Sequence, residues 1–312
     1  ISDNQPVLAA MKEHGGISDE DGGRTIIEEG MTAQNVNVAW VSESGTAPLG
    51  DQKVLDALEF DWKYIIGSVS WTLAEQYKNS GGSDTKFADL IGAKYDVLEE
   101  SVQNVFHGGM LSNGTGTGGL QLQGLAALVS TTPTTGTVGG IDRSSANAVW
   151  SRNQAFDSSS SWSEGAVDSG NVKRFLNKGI NGSIRGGKVM QQVGIMGQTH
   201  HEALDSALQA IQNINDVTGT GKGGFDKLVY RGIPMYMGNG INYSGETAMT
   251  ATRTYLLNVK PGGVNLRFHK KAKFDLLAPV DSADQAARTR LMFTMSCMLI
   301  GALAKFNWVG FD

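Results

Sequence analysis

Three observations predict an α+β fold. Apolar and aromatic residues at even positions, Val54, Leu58, Phe60, Trp62, Tyr64 and Ile66, alternate with Glu59, Asp61 and Lys63, which is the period of a strand. Helical spacing then runs through Phe87, Leu90, Ile91, Tyr95, Leu98, Val102, Val105 and Phe106. Strand-like segments follow one another toward the C-terminus instead of alternating with helices as a doubly wound sheet requires.

Residues 1–30 are rich in Gly and acidic side chains, and Asp19-Glu20-Asp21-Gly22-Gly23 reads as a mobile arm. Val36, Val38 and Trp40 begin a strand, and the polar stretch from Ser42 to Asp51 turns it back into the even-numbered run, making a long hairpin. Ser83 or Asp84 caps the helix that follows; Gly108 and Gly109 end it, with His107 suited as a cation in its last turn. Residues 113–165 are Gly-, Ser- and Thr-rich, with a short apolar segment from Leu120 to Val129. A second helix carries Val172, Phe175, Leu176, Ile180 and Ile184, and a strand covers Val189 to Met196. Thr199 and Glu202 form a capping box for a third helix reaching Ile214. Strands are expected at Lys227–Tyr230, Ile233–Met237, Tyr255–Val259, Val264–His269 and Lys273–Leu277, with a buried strand in the uncharged run Leu291–Ala304.

The chain of 312 residues can form one large domain or two modest ones. Its 41 glycines against 6 prolines suit a loop-rich β protein. The net charge of −5 argues against a general nucleic-acid-binding surface and confines any such contact to patches. Cys297 is the sole cysteine, so no intrachain disulfide forms. The run Leu291–Ala304 falls short of the roughly 20 residues that cross a bilayer. No secretion signal is read near the start, where Asp3, Lys12, Glu13 and Asp19 interrupt any apolar region.

Chemical motifs do not survive inspection. Gly114-x-Gly116-x-x-Gly119 and Gly219-x-Gly221-x-x-Gly224 each follow a helix, whereas a dinucleotide site needs a preceding strand. Gly221-Lys222 lacks the Ser or Thr of a phosphate-binding loop. His200-His201-Glu202 invites a metal, but position 205 is Asp, and adjacent helical histidines diverge by about 100°; solvent exposure at a helix start is expected instead. There is no Gly-x-Ser-x-Gly elbow, and Cys297 lies in apolar surroundings where a thiol is inert. No catalytic, cofactor-binding or metal-binding residue is therefore assigned, and a structural or binding role is favoured.

Three stretches carry a resemblance: Gly119-Leu-Gln-Leu-Gln-Gly-Leu-Ala-Ala-Leu-Val-Ser130, Pro133-Thr-Thr-Gly-Thr-Val-Gly-Gly-Ile-Asp-Arg143 and Trp150-Ser-Arg-Asn153. Together they resemble one subgroup of the major capsid proteins of tailed bacteriophages, Caudoviricetes, which have the Hong Kong 97-like fold. The resemblance implies an N-terminal arm at 1–30, an extended hairpin (E-loop) with flanking strands at 31–70, and a peripheral domain at 71–149 with its spine helix at 84–107. An axial domain at 150–255 and return strands of the peripheral domain at 256–312 complete it.

The implied function is self-assembly as hexamers and pentamers into an icosahedral virion shell around double-stranded DNA, made in the bacterial host cytoplasm. Implied partners are further copies of the chain, a portal protein, scaffolding, decoration or cement proteins, and DNA bound without sequence specificity; no membrane and no cofactor are implied. A hairpin projecting from its domain cannot bury both faces alone, so Trp40, Pro48, Lys53, Phe60, Trp62 and Tyr64 are the candidates for inter-subunit contact. Two other readings are an encapsulin-like shell around protein cargo, and a hydrolase or carbohydrate-binding module.

Overall fold

The computed structural model describes residues 5–33, 35, 37–52, 54–79, 90–161, 165–209, 227–238, 249–281 and 287–312. Two six-stranded sheets organise them. The first is built on Ala287–Ile300, a strand of 14 residues that contains most of the uncharged run. Its C-terminal half carries no charge and suits burial, and Met298, Leu299 and Ile300 are buried. One edge of this strand pairs antiparallel with Lys63–Thr72, from Ala287 opposite Thr72 to Ser296 opposite Lys63. The other edge takes Val264–His269 and the short strands at Asp275–Leu276 and Val280–Asp281. A helix from Leu90 to Leu111 packs on the strand Lys63–Thr72 through Leu98 and Val102.

The second sheet runs Lys227–Tyr230, Ile233–Met237, Val193–Met196, Arg253–Leu257, Trp308–Phe311, Gln154–Asp157 in spatial order. The helices Val172–Gly182 and Gln198–Gln209 contribute Phe175, Leu176, Ile180 and Leu204 to a core shared with Met235, Leu256 and Trp308. The long helix and the strands expected after it are thus present.

Several expectations are corrected. Residues 5–31 are not a mobile arm. Pro6–Glu13 is a helix whose Val7, Leu8, Ala10 and Met11 are buried, and Gln5 Nε2 donates to Asn104 Oδ1 on the long helix at 2.6 Å. Ile17–Glu20 then pairs parallel with Val264–His269. The acidic run is tied down by cations: Lys273 to Asp19 (3.0 Å), Lys270 to Asp21 (2.6 Å), and Arg267 to both Glu20 and Glu28. Acidity had read as solvation because the cations lie far away along the chain.

The hairpin also differs. Leu55–Asp61 pairs with Thr25–Met31, not with residues around Trp40, and 37–52 form no strand. Lys63–Thr72 is a separate strand belonging to the first sheet, so the side chains facing inward change parity. Leu58, Phe60 and Trp62 are buried, whereas Tyr64 and Ile66 are exposed. The long helix continues through Gly108 and Gly109 to Leu111, where both glycines are buried and tertiary packing outweighs their poor propensity. Its expected start at Ser83 or Asp84, and Phe87, lie outside the described residues. So does the third helix beyond residue 209. That helix begins at Gln198, whose Nε2 donates to Glu202 Oε1 at 2.9 Å, while the Thr199 amide donates to Ala251. Finally, Trp308–Phe311 joins the second sheet between Arg253–Leu257 and Gln154–Asp157, so the span 256–312 does not return wholly to the first.

His107 is buried and carries no charge. Burial pushes its pKa down to about 4 from 6.5, and neither ring nitrogen has a hydrogen-bond partner. The unfolded chain therefore binds more protons between about pH 6.5 and about pH 4, and stability falls as pH drops through that window, by about 3 kcal/mol across it. His107→Leu removes this loss. In urea titrations near pH 7.5 and near pH 4.5, the variant should lose about 2–3 kcal/mol less than the unaltered chain on acidification; equal losses would contradict this account.

Phe106, on the same helix, stacks on Phe268 at 5.5 Å between ring centroids and meets Phe274 edge-on at 5.4 Å. Phe106→Ala should cost about 3–5 kcal/mol. Glu100→Gln on the exposed face should stay within about 0.5 kcal/mol, both measured by urea denaturation.

Candidate functional site

The three quoted stretches meet in one buried hydrogen-bonded knot. Arg143 is completely buried and donates through Nη2 to the Leu128 carbonyl at 2.7 Å and through Nη1 to the Ala127 carbonyl at 3.2 Å. Asn153 Oδ1 accepts from the Ser130 amide at 3.1 Å, and Asn153 Nδ2 donates to the Ser130 carbonyl at 2.8 Å. Arg152 Nε donates to the Arg143 carbonyl at 2.7 Å. Trp150 lies directly on Gly30, where any side chain would occupy the indole's place. Burial and the neighbouring Arg152 push the Arg143 pKa down to about 10, which leaves it charged at neutral pH. The motif is therefore architectural: it clamps the Leu125–Leu128 turn, the first hairpin and the entry to the second sheet.

Among the described residues, one loop and one groove expose clustered apolar side chains. The excursion between Met31 and Leu55 exposes Val38, Trp40, Val41 and Leu49, with Pro48 also exposed. Trp40 is fully exposed, an arrangement that an isolated subunit gains nothing from. A groove of about 720 Å³ lies between the long helix and the strand Lys63–Thr72, lined by Ile66, Val69, Leu90, Val97 and Val105. Val97 and Val105 are each more than half exposed, at 62% and 57%. Lys94 also lines the groove and pairs with Glu75 at 3.1 Å. The Thr72 amide and then Lys94 hold the Glu75 carboxyl below the usual range.

Of the six candidates for inter-subunit contact, the structure leaves Trp40, Pro48 and Tyr64 exposed. Tyr64 stacks on Phe293 with centroids 6.0 Å apart and still exposes 57% of its surface beside the groove. Phe60 and Trp62 are withdrawn as candidates. They are 3% and 5% exposed within their own subunit, where Trp62 Nε1 donates to the Gly23 carbonyl at 3.0 Å. The segment carrying Gly139 and the strand Thr25–Met31 already cover this face. Lys53 lies outside the described residues. Sequence reasoning missed the groove residues Val97 and Val105. Their signal was an apolar stripe on the long helix too broad for a single buried face.

His200 is also corrected. It is not exposed at a helix start but fully buried, with Nδ1 2.8 Å from Thr254 Oγ1 and Nε2 2.8 Å from Asp312 Oδ1. Burial pushes its pKa down, against the opposing pull of Asp312. Burial likewise pushes the Cys297 thiol up to about 12. Among the described residues no three His, Cys, Asp or Glu side chains come together as a metal site.

The sequence matches no known family description and no curated relative. Solved structures match over nearly the whole chain. A subunit of the cyanophage A-1(L) capsid is similar with a TM-score of 0.74 and 14% identity, covering 99% of this chain and 92% of its own. A subunit of the native GTA particle capsid follows at 0.58 and 10%, covering 97% and 89%. The holo-SrpI encapsulin complex from Synechococcus elongatus PCC 7942 reaches 0.56 and 10%, covering 95% and 84%. At such identities the likeness is one of fold. The chain has the Hong Kong 97-like fold of phage capsid subunits, as the three motif stretches imply.

Trp40→Ser should leave the unfolding free energy of the isolated subunit within about 0.5 kcal/mol of the unaltered chain. Trp62→Ala should cost about 3–5 kcal/mol. Thermal and urea unfolding distinguish them; a large cost at Trp40 would mean that the loop packs on its own subunit.

Proposed function

We propose that this chain is the non-enzymatic structural subunit of an icosahedral virion shell, assembling as hexamers and pentamers around double-stranded DNA. The observation that carries this reading is the near-complete structural match to a phage capsid subunit, covering 99% of this chain. The uncovered surfaces add physical support. A projecting apolar loop and a separate apolar groove on the same chain make a head-to-tail contact, and such contacts close into rings when the rotation permits. In this reading Trp40, Pro48 and Tyr64 lie at subunit boundaries. The spans 71–149 and 150–255 act as peripheral and axial domains, with Trp308–Phe311 added to the axial one. Other copies of the chain, a portal protein and scaffolding or decoration proteins are its partners, and assembly takes place in the bacterial host.

The encapsulin-like reading has one observation in its favour, the 0.56 match to an encapsulin. The match of 0.74 to a phage capsid subunit supports the virion-shell reading, which we rank first. Electron microscopy of purified material, with an assay for nuclease-protected DNA, separates the two. Closed particles holding DNA are expected. Particles holding protein cargo would favour the encapsulin reading, and a stable monomer would overturn both.

Deleting Ser44–Gly50, all exposed, should leave the subunit folded by circular dichroism yet reduce particle yield severely. Undiminished yield would remove the loop from the interface.

A further inference from the structure

Charge is segregated in this chain. Between residues 169 and 201 there are five basic side chains (Lys173, Arg174, Lys178, Arg185, Lys188) and no Asp or Glu, in a protein of net charge −5. Around the first sheet Lys94, Arg267, Lys270, Lys273 and Arg288 each have a carboxylate within 4.0 Å, while Lys63 and Arg290 donate to backbone carbonyls. Among the described residues Lys178, Arg185 and Lys188 have none. Their inward contacts are to rings, Lys178 at 5.9 Å from the Phe156 centroid and Arg185 at 6.0 Å from that of Phe306. Nearby carboxylates serve their own surroundings. Asp157 accepts from the Ser159 amide at 3.0 Å, Asp168 from the Asn171 amide at 2.9 Å, and Asp312 faces His200.

These cations also repel one another, and among the described residues no carboxylate pairs with Lys178, Arg185 or Lys188. Arg185 sits directly opposite Lys188 in a two-stranded hairpin, with Gly186 and Gly187 at φ +58° and +76° as its turn. Directly paired like charges destabilise such a hairpin, and nothing lies within 4 Å of where side chains on the two glycines would begin. Arg231 is added to the same exposed face by Asn177 and Asn181, whose Oδ1 atoms accept from Nη1 at 3.0 and 2.9 Å. Ile184 is the one large apolar residue exposed along 171–190. A protein interface would need an apolar centre, whereas a ridge of unpaired cations suits a dense, regular row of phosphates.

We infer that the face formed by Lys178, Arg185, Lys188 and Arg231 binds the phosphate backbone of duplex DNA without reading its sequence. The inference rests on the proposed shell only for choosing duplex DNA as the polyanion. Each neutralised phosphate contributes about 0.9 to the slope of log affinity against log salt, so the contact is weak per subunit and strongly salt-dependent.

The test is fluorescence anisotropy of a random-sequence duplex of about thirty base pairs, titrated with purified protein over a salt series. The triple variant Lys178→Gln, Arg185→Gln, Lys188→Gln should make the slope shallower by about 2.7. Lys188→Gln alone, at the open hairpin, should lower it by about 0.9. Lys270→Gln with Lys273→Gln, which removes two paired cations from the first sheet, should leave it unchanged. An unaltered chain that does not bind duplex, a triple variant with the original slope, or an equal drop in the control would overturn the inference. Binding of poly-glutamate in place of duplex would also overturn it, in favour of an acidic polypeptide. Particle formation is scored separately by electron microscopy. Particles with no slope difference sink this face and spare the shell; a slope difference without particles does the reverse.

Discussion

Arg143 sets the constraint on which the rest of the chain depends. Its guanidinium is completely buried, and among the described residues no carboxylate neutralises it. Removing an ion from water costs several kcal/mol even after relaxation, so the site is tolerable only if the surroundings supply fixed acceptors. The Ala127 and Leu128 carbonyls do so, and Asn153 holds the next turn of chain against Ser130. Every one of these acceptors is backbone or a neutral amide. The path of the chain is therefore tied to the two Nη groups of Arg143, while its buried Nε has no hydrogen-bond partner.

From that point the architecture propagates in both directions. Asn153 leads into Gln154–Asp157, which pairs with Trp308–Phe311 and so draws the C-terminal strand into the second sheet. Trp150 lies on Gly30 and holds the first hairpin. The N-terminal helix closes the arrangement from the other side, touching the long helix through Gln5 and the second sheet through Tyr236, whose hydroxyl donates to Glu13 at 2.7 Å. With both sheets joined at these places, Val38, Trp40, Val41 and Leu49 and the groove residues Val97 and Val105 stay exposed among the described residues. The fold of one subunit thus leaves a loop and a groove exposed.

The candidate site was only partly legible beforehand. Of the candidate contact residues, Trp40 and Tyr64 are exposed, while Phe60 and Trp62 are buried in their own subunit. Alternation along 54–66 reads as one continuous strand, but the chain changes sheets near Trp62, and the buried parity changes with it. A period-two pattern tells which residues share a face, never which neighbour covers that face. The acidic residues at 19–21 misled for a related reason, since their cations lie some 250 positions away.

By itself the sequence determined the element types and most of their places: the long helix, the uncharged run as a buried strand, the helix at Val172–Gly182 and the strands around residues 227–237. These follow from local periodicity and propensity, which act over neighbouring residues. It also determined, through three short stretches, which fold the chain would adopt. Only the tertiary structure decided the rest: that the opening residues are a docked helix, that Phe60 and Trp62 serve their own core, that His107 and His200 are buried, and that the last strand crosses to the second sheet. Each of those depends on partners distant in sequence, and burial and pairing energies are set by what arrives in space rather than by what is adjacent in the chain.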